Sequence, residues 1–279
     1  MTNPPPAPTV AEFIEVWHEA LQSIVDLCDP LDGEQWLLPT ACPGWTVADV
    51  VAHVIDLEQL FGGVAPPDHE PDWDSLPHVK NDFARLTEVG VDFRRGMSPQ
   101  ELLTEMRLTI MRRRAQLDAL PEDAEVIGPP AGKPMPLERF LRTRTFDTWI
   151  HEQDIRWAID QDGAWNTAPA GVAFSQMANA LPYVWGRNVK APVGSVLQLT
   201  VIGPDMHHQS SVTVDEAGRG IFAPDDTRAD LEAAMTWAAF MRLSAGRVAI
   251  DDPWLRDKVE LLGDAELGQR LLPAMNIAP

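Results

Sequence analysis

Asp147, His151 and Asp154 fall within the stretch FDTWIHEQDIRWAI, which runs from Phe146 to Ile159. At i, i+4 and i+7 they share one face of a helix, while Trp149 and Ile150 point elsewhere. A carboxylate and an imidazole one turn apart can chelate a single ion. The same pair can also do no more than stabilise its helix, by about 0.2–0.5 kcal/mol. Catalytic zinc sites take three protein ligands and keep one position open, so the chain has to supply another ligand. Of the seven histidines, His18 sits on a surface turn of the first helix, His69 and His78 lie in an acidic loop, and His207 and His208 lie between predicted strands. His53 differs, because it occupies the middle of a well-capped apolar helix and is held rigidly enough to face a bundle interior. With Asp147 and His151 it would complete a two-histidine, one-carboxylate site; its other reading is a hydrogen-bonded core histidine.

Other side chains near these motifs have chemical and structural readings side by side. Cys42, in TACPGW, precedes the His53 helix, where a thiol can be activated; as a small buried residue in a tight turn it would be inert. Arg144, three residues before Asp147, can orient that carboxylate or bind an anionic group. For Arg144, as for Arg142 two residues earlier, a solvated side chain is the default reading. Trp45, Trp149 and Trp157 can line a pocket, but aromatics beside caps and on apolar faces mostly pack.

The elements that must position these groups are legible from periodicity and caps. Phe13, Ile14, Trp17, Leu21, Ile24 and Val25 recur at three- and four-residue steps and predict a helix from about 9 to 28. Thr46 as N-cap, Asp49 completing a capping box, Trp45 stapling to Val50, and Gly62-Gly63 at the end predict a helix from about 47 to 61. Helices are expected near 79–95 and 98–118, the second opened by a capping box in SPQE. The segment PEDAEVIGPPAGKPMP reads as a loop. A last helix follows, with Pro136 in its first turn, and ends near Ile159. Beyond DQDGAWNTAPAG a helix near 170–183 gives way to SVLQLTVIG and SSVTVDEAGRGIFA, which alternate like strands with a hairpin around Ala217-Gly218. ADLEAAMTWAAFMRLSAGR reads as an amphipathic helix, and VELLGDAELGQRLLPAM as a mixed tail. The fold class is therefore α+β, with a helical bundle over 1–165 and a smaller α/β domain over 166–279.

Composition narrows the function. The 279 residues carry a formal charge of −20 and are 45% apolar. That balance gives an ordinary core and repels nucleic acid and anionic membranes. There is no basic, apolar leader and no run long enough to cross a bilayer, so a soluble cytoplasmic protein is expected. With only Cys28 and Cys42 and no CxxC, any metal must rely on imidazole and carboxylate.

LDGEQWLLPTACPGWTVADVVAHVIDLE together with RTFDTWIHEQDIRWAI resembles the mycothiol-dependent maleylpyruvate isomerase family, within the DinB-like metalloenzymes. The resemblance implies an N-terminal DinB-like four-helix bundle. In it a histidine of the second helix and a carboxylate-x3-His pair of a later helix bind a divalent metal, usually zinc; here these are His53, Asp147 and His151. AAFMRLSAGRVAIDDPWLRDKVELLGDAELGQRLL resembles that family's smaller domain, which is similar to sterol-carrier-type folds. One departure is Asp147, where the family's isomerase has glutamate; the oxygen sits roughly one methylene closer to the helix. Asp154 would then either accept from a ligand's ring N–H or replace Asp147 as ligand.

The chemistry implied is thiol activation: a zinc ion with an open position binds mycothiol, or a similar small thiol, as thiolate, which adds to an electrophilic carbon. An isomerase would release the thiol after rotation about the bond, and a transferase would release the adduct. Arg247, in SAGR, and Arg144 are the candidate cofactor contacts, and the partners are a low-molecular-weight thiol and a small electrophile acting on a monomer or homodimer. The rival readings are a hydrolase using zinc-bound water and a non-catalytic binding protein.

Overall fold

The computed structural model describes residues 8–128, 133–204, 206–224 and 226–277. In α1 (Val10–Cys28) Thr9 and Glu12 form a capping box that occupies orphan N–H groups at the start, and Phe13, Trp17, Leu21 and Ile24 are buried. α2 (Val47–Phe61) starts from the expected Thr46–Asp49 capping box and ends at Gly62. Trp45 is partly buried against the core cluster that contains Val50, but its ring lies on His53, 4.8 Å between centroids. α3 (Asp82–Arg94) begins three residues later than periodicity suggested, because the Asn81 side chain caps it by accepting from the Ala84 N–H. α4 (Pro99–Asp118) opens with the expected Ser98–Glu101 capping box.

The segment expected as a loop contains β1 (Glu125–Gly128) and β2 (Lys133–Pro136), an antiparallel pair. Four-residue strands carrying two prolines show no alternation in sequence; pairing with each other and contact of Val126 and Met135 with the bundle core make them strands. Pro136 is the last residue of β2 and the cap of α5 (Leu137–Ala158), so the helix begins one residue beyond it. α1, α2, α4 and α5 pack on one another with α3 against α2. Their shared core includes Trp17, Ile24, Val50, Ile55, Met106 and Phe140, each large side chain contributing about 1.5–3 kcal/mol of burial.

The chain divides into two compact units, Met1–Ala164 with Ala168–Ala173, and Trp165–Thr167 with Phe174–Pro279; α6 (Ala168–Asn179) contributes residues to both. In the second unit α7 (Leu181–Tyr183) runs into a π-helical turn at Val184–Asn188, so the helix expected near 170–183 is broken after Asn179. The five strands described here are β3 (Val196–Gly203), β4 (Met206–Val214), β5 (Gly220–Ala223), β6 (Leu231–Thr236) and β7 (Val259–Gly263), in the order β5-β4-β3-β6-β7. Only the β3–β6 pair among them is parallel. His207 and His208 lie within β4 rather than between strands. The hairpin at Ala217-Gly218 forms as expected, with Gly218 at φ +76 and the Asp215 carboxylate accepting from the Ala217 and Arg219 N–H groups.

ADLEAAMTWAAFMRLSAGR is not one helix. Its first half is β6, whose Leu231, Ala233 and Met235 are buried, and only its second half is helical, as α8 (Trp237–Ser244). Leu231 pairs with Leu197 on one side and Gly263 on the other. Residues with helical propensity are thus held extended by two neighbouring strands. α9 (Ala265–Ala274) follows β7 and packs on β6 and β7.

Candidate metal centre

His53 lies two turns into α2, and its position follows from the Thr46 cap and the apolar face around it. Asp147 and His151 lie one turn apart on α5. The two helices pack together and bring the three side chains to one point. His53 Nε2 is 4.0 Å from Asp147 Oδ2, and His151 Nε2 is 3.9 Å from Asp147 Oδ1. The two imidazoles meet edge to face with centroids 4.8 Å apart. One ligand atom from each residue lies within 4.8 Å of the other two. Both histidines are 5% exposed, whereas the Asp147 side chain keeps 29% of its surface, so the centre opens at the carboxylate.

Asp147 is held ionised. Burial works against its charge, but the Arg144 guanidinium, then His151 and His53, hold the carboxyl well below the usual carboxylate range. Arg144 is 1% exposed. It donates from Nη1 to Asp147 Oδ2 at 2.7 Å and from Nε to Glu58 Oε1 at 2.9 Å. Burial disfavours its charge, yet Asp147 and Glu58 together raise its pKa. Glu58, also 1% exposed, further accepts from Trp17 Nε1 at 3.3 Å and Arg113 Nε at 3.4 Å. Arg144 therefore orients the carboxylate through a buried chain: Nε and Nη1 bind two acidic side chains, and Nη2 is buried without a hydrogen-bond partner.

Asp154 stands on the other side of His151. Its Oδ2 is 3.1 Å from His151 Nδ1 and 3.1 Å from Cys42 Sγ, and it is fully buried. Thus Asp147 faces the Nε2 atoms of both histidines, while Asp154 contacts the Nδ1 edge of one.

The donors suit a divalent cation of the zinc type. Two imidazole nitrogens and an ionised carboxylate form a familiar catalytic ligand set, and their separations are slightly longer than the roughly 3.4 Å edge of a zinc coordination tetrahedron. Within the second unit, Arg247 donates from Nη1 to the Ala245 carbonyl at 2.9 Å.

Two further side chains support the centre. Cys42 is buried in a tight turn as expected, but its thiol contacts Asp154; the only signal was its place just before the capped His53 helix. Glu58 went unnoticed, though a glutamate in the last turns of an apolar helix that buries it needs a cation. Elsewhere, His69 pairs with Asp92 at 2.7 Å and His78 with Glu88 at 3.0 Å. His18 is half-buried on α1, and His208 packs on Phe174. Trp149 is buried and donates to the Ala164 carbonyl, and Trp157 is half-buried. Arg142 binds Glu138 and lies over the Phe13 ring.

Residues 17–156 match the family described as Mycothiol maleylpyruvate isomerase N-terminal domain. Two uncharacterized proteins of Mycobacterium tuberculosis, from strains CDC 1551 / Oshkosh and ATCC 25618 / H37Rv, are each 26% identical over 129 residues, 46% of this chain and 49% of theirs. The chain thus spans about half the length of the curated relatives it matches. Crystal structures of the mycothiol-dependent maleylpyruvate isomerase, one of them of a histidine-to-alanine mutant, superpose with a TM-score of 0.56 at 14% identity, covering 91% of this chain and 93% of theirs. At that identity the likeness establishes a shared fold.

Proposed function

This chain belongs to the mycothiol maleylpyruvate isomerase N-terminal domain family, and from that premise we propose that it is a thiol-dependent isomerase whose centre holds a divalent metal, zinc in the first instance. The observation that carries the metal is the convergence of His53 Nε2, His151 Nε2 and the Asp147 carboxylate on one point. His53, His151 and Asp147 would hold the cation, whose charge would lower the pKa of a bound thiol and make thiolate available near neutral pH.

The side chains divide the remaining work. Arg144 keeps Asp147 ionised and fixes its rotamer. Asp154 Oδ2 stands 3.1 Å from His151 Nδ1, where a carboxylate would accept a hydrogen bond from Nδ1–H and leave Nε2 for the metal. Trp45 covers the His53 ring and limits water on that flank. Arg247 is the proposed contact for polar groups of the thiol. The reaction class is addition of a thiol sulfur to a conjugated double bond of a small electrophile, rotation about the resulting single bond, and elimination that returns the thiol. Mycothiol or a similar low-molecular-weight thiol is the proposed co-reactant.

The protein is proposed to work in the cytoplasm as a monomer or homodimer, without nucleic acid or membrane partners. Both cysteines are free thiols, and no described helix is long and apolar enough to cross a membrane.

The test is elemental analysis of wild type beside His53→Ala and His151→Ala, followed by isomerisation assays with and without thiol. About one zinc per chain in wild type, lost in both variants, with turnover only when thiol is present, is the expected result. Full turnover without thiol would overturn the thiol dependence and leave a metal hydrolase. Absence of metal after zinc is offered would leave a binding protein.

A further inference from the structure

Asp154 is fully buried, and a carboxylate removed from water must be met by donors. Two groups converge on its Oδ2 at 3.1 Å, His151 Nδ1 and Cys42 Sγ. Were the His151 proton on Nε2, the Nδ1 lone pair would face a carboxylate oxygen at hydrogen-bond distance, acceptor against acceptor. With Asp154 ionised the proton belongs on Nδ1, provided Oδ2 stays in the ring plane. Something has to hold it there.

Cys42 is well placed to do so. The Thr40–Trp45 turn is cross-tied, with the Thr40 N–H donating to the Trp45 carbonyl, the Trp45 N–H to the Cys42 carbonyl, and the Cys42 N–H to Thr40 Oγ1. Gly44 holds φ +79, and a Cβ there would meet the His78 ring at 2.3 Å, so the turn is shaped to its surroundings. It leads straight into Thr46, the cap of the helix that carries His53. We infer that Cys42 is a positioning residue: its S–H donates to Asp154, pins that carboxylate against His151, and so fixes the imidazole tautomer that offers Nε2 to the metal. This rests on the metal reading above. Cys42, His151 and Asp154 also form a three-ligand cluster, with Sγ–Oδ2 and Nδ1–Oδ2 at 3.1 Å and Sγ–Nδ1 at 4.0 Å, and the zinc stoichiometry of the Cys42 variants decides between an ion and hydrogen bonds there.

Three full-length proteins test it: wild type, Cys42→Ser, which keeps a donor, and Cys42→Ala, which removes it. Zinc affinity is measured by chelator competition, the His151 tautomer by 15N NMR of metal-free protein, and folding by metal-free melting. The expected result is zinc affinity about 10–100-fold weaker in Cys42→Ala, largely restored in Cys42→Ser, with His151 moving towards the Nε2–H tautomer only in the alanine variant and melting little changed. Unchanged affinity and tautomer in Cys42→Ala would overturn it, leaving Cys42 as packing. An equal loss in serine and alanine would show that sulfur, not the donated proton, is what matters, and a second zinc per chain lost in both would make the cluster an ion site. Should Cys42→Ala fail to fold, an Nε2–H tautomer in metal-free wild type alone would overturn the inference. Since the tautomer is read without metal, failure of the metal reading, seen as no zinc bound by wild type, stays distinct from failure of this one.

Discussion

His53 and Asp56 lie one turn apart on α2, yet the polar networks they enter end differently. Asp56 accepts from Arg94 at 3.0 Å, and Arg94 also binds Glu105, Gln59 and the Gly90 carbonyl. Nearby, Arg95 binds Asp49 and Glu88, and Glu88 accepts from His78 and Trp45. This region satisfies its own charges with direct hydrogen bonds, and Gly90 allows the close fit, since a Cβ there would lie 1.9 Å from the Asp56 carboxyl carbon. Around His53 the supporting groups also bond one another, through Glu58 and Arg144 on one side and Asp154 and Cys42 on the other, although Arg144 Nη2 is buried without a hydrogen-bond partner. The ligand atoms of His53, His151 and Asp147 stand 3.9–4.0 Å apart, beyond hydrogen-bond reach of one another, while Asp147 Oδ2 also accepts from Arg144. The first network closes on itself, whereas the second sets two imidazoles and a carboxylate around one point, the arrangement on which the proposed cation rests.

The comparison breaks most forcefully at Arg144. Arg144→Met leaves Glu58 and Asp147 without their shared guanidinium and is expected to cost about 3–5 kcal/mol in urea unfolding and to abolish zinc binding. An unchanged metal content would mean that the buried chain does not govern the centre. Removing zinc from wild type comes next: with free zinc at 1,000 times Kd the loss is about 4 kcal/mol, read by melting in chelator. Gly90→Ala attacks the self-satisfied network instead, and overpacking against Asp56 should cost about 1–3 kcal/mol while one zinc per chain remains; a simultaneous loss of zinc would show that the two networks are one.

The smallest effect lies away from both networks. Backbone and side-chain hydrogen bonds from Ser98 hold Glu101 below the usual carboxylate range. Its contribution is therefore complete above the ordinary value of 4.5 and is lost as pH falls through the depressed one. Ser98→Ala should lower stability by about 1 kcal/mol at neutral pH, and the difference from wild type should shrink on the acid side of a pH–stability curve, with zinc content unaltered.

What could be read from sequence tracks how local the cause is. The start of α2 was visible because Thr46 and Asp49 satisfy each other within one turn, and Asp147 with His151 because i, i+4 spacing is a property of one helix. β6 is hidden from sequence because LEAAMT has the residues of a helix and becomes a strand only between β3 and β7. β1 and β2 were missed for the same reason on a smaller scale. Cys42 and Glu58 acquire their roles from partners about 110 and 85 residues away, His151 and Asp154 for the first and Arg144 for the second, and no pattern within a window of the chain records such a meeting.

His53 and Asp147 are separated in the chain by all of α3 and α4. At synthesis rates of about 5–20 residues per second, the ribosome adds Asp147 roughly 5–20 s after His53. During that interval α2 has no ligand partner on α5, and Cys42 has neither Asp154 nor His151 to meet. Until α5 has been added and docks on α2, the His53–Asp147–His151 cluster does not exist, whatever the earlier helices have already packed.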